Sequence, residues 1–174
     1  MKACAAKAAV VRVAALVGCA AAGVGMALAT PALATPSPYP NLDGYQRESN
    51  LEPFRVIDQR GVWLTTPMGL RCGIDDDGSY GCSGTLPGAP PGDNEVAWFV
   101  GDPFPRQYHT DQPRFDSGVT QNLLIGLSYV QFRGSTCAVT KESGIYCSHE
   151  NDPNSQLMVT NEMTFRGGDA TPSS

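Results

Sequence analysis

Short runs of β-branched and aromatic residues alternate along this chain with clusters of Gly, Pro and Asp, and no long helical periodicity is visible. Short apolar runs bounded by turn-forming residues are typical of β-strands. The pattern predicts strands at residues 62–66, 70–74, 79–83, 95–100, 127–132, 136–140, 145–148 and 156–160. The expected fold is therefore all-β, either a small barrel or a sandwich.

The two ends of this β region differ from it in composition. Residues 35–46 carry a proline at every second position from 36 to 40, which favours an extended, poorly packed tether. Residues 167–174 contain no large apolar side chain and are expected to be disordered. The prediction is thus a single β domain at residues 47–166. Within it, the Pro-rich segment 101–118 is the long irregular loop, and loops of this length are usually functional or mobile.

The chain matches itself without a gap when Gly61 is aligned with Gly126. The same alignment matches Gly69 with Gly134, Cys72 with Cys137, Cys82 with Cys147 and Ser83 with Ser148. Apolar positions are also kept, for example Val62 with Leu127. The match predicts two copies of one meander unit, at about residues 61–83 and 126–148, with coincidence of composition as the alternative.

The first copy is predicted to contain a disulfide-linked hairpin. If Cys72 lies opposite Cys82, then Ile74 faces Tyr80 and residues 76–78 form the loop, with Gly78 at its left-handed last position. Directly opposed cysteines on two strands are close enough to form a disulfide. We therefore expect a bond between Cys72 and Cys82.

The second copy is expected to pair Cys137 with Cys147, although its loop, residues 141–144, places the glycine one position later and is predicted to be longer. This pairing is one of three that four cysteines allow. Each bond closes a short loop and should stabilise the fold by about 2.5–3 kcal/mol. A zinc site is disfavoured, because structural zinc ligands usually come in pairs two to four residues apart.

The charge distribution excludes some classes of function. The chain has 174 residues with 12 basic and 17 acidic side chains, and the segment 1–34 holds three of the bases and no acid. The segment 35–174 therefore carries 9 − 17 = −8 charges. A nucleic-acid-binding protein needs a basic face to neutralise phosphates, so this class is not expected. No late apolar run approaches the length of a membrane span, which is about 20 residues.

The segment 1–34 is typical of an export signal. A basic head is followed by an uncharged Ala-rich stretch and by Ala32-Leu33-Ala34, which fits the small-residue rule of signal peptidase. We place cleavage after Ala34, giving a secreted protein. The alternatives are a lipoprotein attached through Cys19, which ends a short lipobox, and an uncleaved membrane anchor.

Few residues suggest a particular chemistry, and no metal or cofactor is expected. Residues 75–79 read Asp-Asp-Asp-Gly-Ser and invite a calcium site, but the spacing does not fit an EF-hand and a solvated hairpin tip is the simpler interpretation. His109 lies near Asp102, Asp111 and Ser117 in sequence, which leaves a small hydrolase as one alternative. No nucleophile-elbow motif surrounds Ser117.

The loop 101–118 offers the candidate binding residues. Aromatic and Arg side chains on a Pro-stiffened loop lose little entropy on contact and are good binding residues. The candidates are Phe104, Arg106, Tyr108, His109, Arg114 and Phe115. They predict a module that binds a protein or glycan of the cell envelope or of a host. An equally weighted alternative is that the loop aromatics merely cover the sheet. For the function, a secreted protease inhibitor is another alternative. Trp63 and Trp98 are expected in the core.

Several segments together resemble small exported proteins of actinobacteria, mycobacteria especially. They are PALA at 31–34, TPMGLRCGI at 66–74, GCSGTLPGAP at 81–90 and the second Cys-x9-Cys hairpin. The resemblance covers roughly residues 55–160. This group consists of uncharacterised secreted or envelope proteins, so the resemblance implies export and disulfide pairing without implying an activity.

Overall fold

A computed structural model describes residues 37–167 and 171–172 of the chain. The predicted signal peptide and the lipidation alternative at Cys19 lie outside these residues. Two 3-10 helices, Glu52–Phe54 and Pro153–Ser155, accompany the strands. The strands are β1 (Gln46–Arg47), β2 (Val62–Thr65), β3 (Arg71–Ile74), β4 (Tyr80–Ser83), β5 (Glu95–Trp98), β6 (Arg106–Tyr108), β7 (Asn122–Leu123), β8 (Ser128–Phe132), β9 (Ser135–Val139), β10 (Ile145–His149), β11 (Leu157–Val159), β12 (Thr164–Arg166) and β13 (Thr171–Pro172).

The strands form two mixed sheets. The first sheet has the order β1-β8-β9-β10-β11-β12-β13 and the second has the order β6-β5-β4-β3-β2-β7. Neighbouring strands are antiparallel except for the pairs β1–β8 and β2–β7, which are parallel. The all-β prediction is confirmed, and the architecture is sandwich-like rather than a closed barrel.

All eight predicted strands are present, with ends within two residues of the predicted ones. The five strands that the pattern does not reveal are β1, β6, β7, β12 and β13, each two or three residues long. Segments this short are too brief to show an alternation of apolar and polar residues. They extend the sheets at or next to their edges.

Inward-facing side chains of both sheets form one core cluster that contains both disulfides. The predicted bonds Cys72–Cys82 and Cys137–Cys147 are confirmed, with Cα atoms 4.1 and 4.2 Å apart. Each bond joins directly opposed residues of neighbouring strands. Trp98, expected in the core, is buried and stacks on His149 with ring centroids 4.8 Å apart, which connects β5 with β10 of the other sheet.

The two hairpins have the same register and the same loop length. Ile74 lies opposite Tyr80 and Val139 lies opposite Ile145. The second loop was expected to be longer, but the N–H of Thr140 donates to the carbonyl of Gly144, so the loop also contains three residues. This prediction is wrong because Ser143, rather than a glycine, adopts the left-handed conformation, with φ at 70°.

The gapless match fails ahead of the hairpins. Strands β2 and β3 are joined by a three-residue turn, whereas β8 and β9 are joined by two residues, since Phe132 pairs directly with Ser135. Relative to β2 in the first copy, strand β8 is therefore displaced by one residue. Leu64 lies opposite Cys72 in the first copy, and Val130 lies opposite Cys137 in the second. The predicted equivalence of Val62 with Leu127 is wrong, because Leu127 is exposed.

The two short parallel strands connect the meanders reciprocally. Strand β1 precedes the meander β2–β5 along the chain but pairs with β8 of the other sheet. Strand β7 precedes the meander β8–β11 but pairs with β2. Each meander thus receives its edge strand from the segment leading into the other, and the two sheets cannot separate without breaking both parallel ladders.

Both predicted terminal segments make contacts. Tyr39 of the tether packs on Tyr146 with ring centroids 5.7 Å apart, and its hydroxyl donates to the carbonyl of Gly167 at 2.6 Å. This burial raises the pKa of Tyr39 above its usual range. The tether is therefore better packed than its proline content predicted, and in the tail the strand Thr171–Pro172 pairs with β12 where disorder was expected.

Candidate functional site

The segment 101–118 is held against the outer face of the second sheet. It is less irregular than predicted, because it contains β6, which pairs with β5. Beyond β6 the chain returns over β4 and β5, whose residues Gly81 and Ala97 alternate with the core-facing positions and so face outward. This loop is a packed layer rather than a free projection.

A buried carboxylate fixes the loop. Glu95, at the start of β5, is 1% exposed and accepts three hydrogen bonds. Its Oε2 accepts from Ser83 Oγ at 2.5 Å and from the N–H of Phe115 at 3.1 Å, and its Oε1 accepts from the Tyr108 hydroxyl at 2.5 Å. Burial, together with this bond to Glu95, raises the pKa of Tyr108. The donors come from β4, β6 and the returning segment, so one side chain connects all three.

Phe115 occupies the space left by the missing side chain of Gly81. It is fully buried, and its ring lies over Gly81, while the ring of Trp63 lies over Gly73 in the same cross-strand row. The prediction that Phe115 contacts a partner is therefore not compatible with its position. Phe115 instead covers the sheet, as the alternative interpretation of the loop aromatics expected.

Replacing Gly81 by alanine is expected to lower the free energy of unfolding by about 1–3 kcal/mol. A Cβ at this position would lie 2.4 Å from the Phe115 ring and 2.7 Å from the carbonyl oxygen of Val96. To make room for this Cβ, the Phe115 ring would have to leave its site. The carbonyl of Val96 cannot give way easily because it belongs to the backbone of the sheet. Urea unfolding measures the loss.

Gly126→Ala is the matched control, because its nearest contact would be the carbonyl oxygen of Thr140 at 3.3 Å. We expect a change within about 0.5 kcal/mol for this variant. Equal unfolding midpoints for the Gly81→Ala variant and the unaltered protein would show that Phe115 does not pack as described.

The two loop arginines already have partners. Their guanidinium carbons lie 4.9 Å (Arg106) and 5.2 Å (Arg114) from the centre of the Phe99 ring. Arg106 donates to Asp102 at 2.8 Å and Arg114 donates to Asp75 at 2.7 Å. Because a ligand would have to displace these carboxylates, the arginines are less available than the sequence suggested.

The acidic hairpin tip is occupied by bonds within the protein. Asp75 pairs with Arg114, and Asp77 accepts from the N–H of Ser79 at 2.8 Å. Burial alone would raise the pKa of Asp77, but the hydrogen bonds from Ser79 and the charge of Arg114 lower it below its usual value. Among the described residues no three Asp, Glu, His or Cys side chains form a group suited to a metal ion.

His109 is not connected to a nucleophile by its hydrogen bonds. Its Nδ1 lies 2.7 Å from the carbonyl of Gly92, and its Nε2 lies 3.3 Å from Asp111. The hydroxyl of Ser117 is directed to the carbonyl of Val119, and Asp102 binds Arg106. Of the candidate residues for a hydrolase, His109 and Asp111 therefore lie together, whereas Ser117 and Asp102 have other partners.

Of the six predicted loop contacts, only some remain on the surface. Phe104, Arg106, His109 and Arg114 are exposed, Tyr108 is half-buried, and Phe115 is buried. Phe104, 53% exposed, is the one aromatic ring of the loop that is open to solvent. The structure does not bring the six together into one contact surface.

A second surface is more apolar. Within the part of the chain that the structure describes, seven large hydrophobic side chains are exposed, and five of them belong to residues 57 and 119–127. We call this surface the aliphatic edge. Its members, with their exposed fractions, are Ile57 (88%), Val119 (50%), Leu123 (54%), Ile125 (59%) and Leu127 (45%).

The aliphatic edge contains two shallow depressions. One, of about 340 Å³, is lined by residues 55–57 with Val119 and Thr120. The other, of about 380 Å³, lies between residues 48–54 and residues 122–125. Strand β7 runs beside the second depression and is the last strand of its sheet among the residues that the structure describes. Val119 and Thr120 line the first depression and residues 122–125 line the second, so one short segment of chain contributes to both.

Sequence reasoning missed this surface, although a signal was present. Leu123, Leu124 and Ile125 are consecutive, and in a strand only alternate side chains can face one core. Leu124 is buried, and both neighbours are exposed. A consecutive apolar triplet in an otherwise alternating protein was therefore the pointer to an apolar surface.

Within the described residues no helix is both long enough and apolar enough to span a membrane. No protein-family profile, curated protein or solved structure matches the chain.

Proposed function

We propose that this protein is an exported, disulfide-stabilised binding module that docks a protein partner on its aliphatic edge. The observation that carries the proposal is that five of the seven exposed large hydrophobic side chains of the described residues belong to residue 57 and to the segment 119–127, which contains β7. Contiguous exposed apolar surface on a small domain is typical of protein interaction sites. The two depressions are suited to apolar side chains of the partner.

The chemistry of this surface favours a protein over a glycan. Aliphatic side chains gain free energy by burying apolar groups. Sugar hydroxyls placed against them without hydrogen-bond partners would lose free energy. The loop 101–118, the contact surface suggested by the sequence, offers Phe104 but has Phe115 inside and both arginines paired. We therefore place the partner on the aliphatic edge and not on the loop.

Export is supported by the residues and by the disulfides. Structural disulfides form and persist in oxidising compartments, outside the cytosol. The basic head and Ala32-Leu33-Ala34 add a signal-peptide pattern. We propose a secreted or envelope-associated location, in an actinobacterium according to the resemblance. We also propose that the two meanders derive from one duplicated unit, since their hairpins share register, loop length and disulfide position.

A single charge on the aliphatic edge is expected to weaken partner binding strongly. The purified exported chain, whose intact mass reports the cleavage site, is immobilised unaltered and as Leu123→Asp. Both are exposed to envelope extract and culture filtrate, and the partner that is retained is then purified and titrated directly. We expect about tenfold or greater loss of affinity for Leu123→Asp, because an aspartate would have to be desolvated in the apolar contact.

Val100→Asp is the matched control, since Val100 and Leu123 are each 54% exposed and Val100 lies outside the aliphatic edge. Its affinity should equal that of the unaltered protein. Equal affinity of the Leu123→Asp variant would refute the aliphatic edge as the docking site. A loss shared by both variants would show that surface charge in general, rather than this site, controls binding.

A further inference from the structure

A cleft of about 480 Å³ opens at one end of the first sheet, and none of the aliphatic edge residues lines it. The turn after β9 and the turn after β11 lie side by side there, because β9 to β12 are successive antiparallel neighbours. The side-chain amide of Asn161 donates to the carbonyl of Glu142 at 3.3 Å and connects the turns. The cleft is thus a feature of two linked turns rather than of a single loop.

The floor of the cleft is apolar. Met158 and Phe165 are opposed residues of β11 and β12, and Met163 follows in the adjoining turn. Pro38 completes the lining from the N-terminal segment, which the packing of Tyr39 on Tyr146 holds in place. These thioether, aromatic and ring carbons offer a surface to methylene groups.

The rim carries two carboxylates. Glu142 and Glu162 line the cleft, one from each turn, and both are exposed. Neither forms an ion pair within the described part of the chain. The charge of Glu142 also reaches Tyr45, whose pKa is raised by burial and then by this carboxylate. Lys141 adjoins Glu142 in sequence but does not line the cleft.

We propose that this cleft binds a linear diamine or polyamine, with its methylene stem on the apolar floor and one ammonium group at each carboxylate. The ammonium groups of such a ligand would lie against the carboxylates of Glu142 and Glu162, and its methylene stem would lie against the apolar floor. It is independent of the protein-binding role of the aliphatic edge. A neutral or anionic ligand of the same length would lose one or both of these matches.

The contributions expected are modest, because both carboxylates are exposed. An ion pair at an exposed site changes affinity by about two- to fivefold. A ligand with two charges should therefore bind about two- to fivefold more tightly than a ligand of the same stem with one charge. The ligand with one charge should in turn exceed the uncharged ligand by a similar factor. The ranking of the ligands is the diagnostic result.

The test is an NMR titration of the purified exported chain at constant ionic strength. The probes are 1,6-diaminohexane, hexylamine and 1,6-hexanediol, which share one stem and carry two, one and no charges. We expect the affinity to fall in this order, with shift changes concentrated at Met158, Met163 and Phe165. A diamine that binds no better than hexylamine, or shift changes spread over the whole surface, would overturn the proposal.

Two variants separate the cleft from the overall negative charge. Glu142→Gln and Glu162→Gln should each reduce diamine affinity about two- to fivefold, to the level of hexylamine. Glu52→Gln removes the same charge from an exposed position in the first 3-10 helix, outside the cleft, and should leave the affinity unchanged. If all three variants weaken binding equally, the diamine responds to net charge and the cleft is not a site.

Discussion

Replacement of Glu95 by alanine is expected to lower the free energy of unfolding by about 2–4 kcal/mol. Three donors, from Ser83, Tyr108 and the N–H of Phe115, would lose their acceptor. Ser83 and Phe115 are buried, so their donors do not face bulk solvent. Since the donors belong to separate segments, the loss should be greatest in the loop 101–118.

Two milder variants test this explanation. Glu95→Gln keeps one carbonyl oxygen, which can still accept from Ser83 and Phe115, so we expect about half of the loss seen with alanine. Tyr108→Phe removes a single donor from a half-buried position, and its expected cost is about 1 kcal/mol. Alanine leaves three donors without an acceptor, whereas glutamine and Tyr108→Phe each disturb only the bond between Oε1 and Tyr108, so the alanine variant should be the least stable of the three.

Local and global effects can be separated by limited proteolysis. Trypsin cleaves after arginine, and the loop contains Arg106 and Arg114. Under native conditions the Glu95→Ala variant should be cleaved at these sites sooner than the unaltered protein, while urea unfolding reports the global loss. Unchanged cleavage together with a large global loss would mean that Glu95 stabilises the sheet but does not hold the loop.

The strands and disulfides were predictable because their causes are local. The short apolar runs around Val62, Cys72 and Ile145 predict their strands directly. A Cys-x9-Cys spacing around a three-residue turn places the two cysteines opposite each other. The second hairpin shows the limit of this reasoning. Ser143 adopts a conformation that favours glycine, since the flanking strands and disulfide fix the turn length.

The candidate site was less predictable because its causes are distant in sequence. Nothing near Glu95 shows that its carboxylate meets Tyr108 and Phe115, 13 and 20 residues away. Phe115 is buried because Gly81 lacks a side chain, and that pairing exists only after the sheet has formed. The exposed position of Leu123 likewise depends on the parallel pairing of β7 with β2.

The reciprocal pairing of β1 and β7 bears on how the disulfides act. Each disulfide lies within one meander, whereas the parallel ladders join segments of different meanders. The bonds therefore restrict local hairpins, and the ladders and the common core provide the connection between sheets. Removing a disulfide should consequently act mainly on the unfolded chain rather than on the assembly of the sandwich.

Removing either disulfide as a double alanine variant is expected to cost about 2.5–3 kcal/mol, because in the chain-entropy model the cost depends on loop length. Cys72–Cys82 and Cys137–Cys147 have the same sequence separation of 10, so the two losses should be nearly equal. Alanine avoids burying a hydroxyl at these fully buried positions. Urea unfolding should also show a larger m-value for each variant, since the unfolded chain becomes more expanded. A loss without an increase in m, or two losses that differ by more than about 1.5 kcal/mol, would instead indicate cavities in the native core.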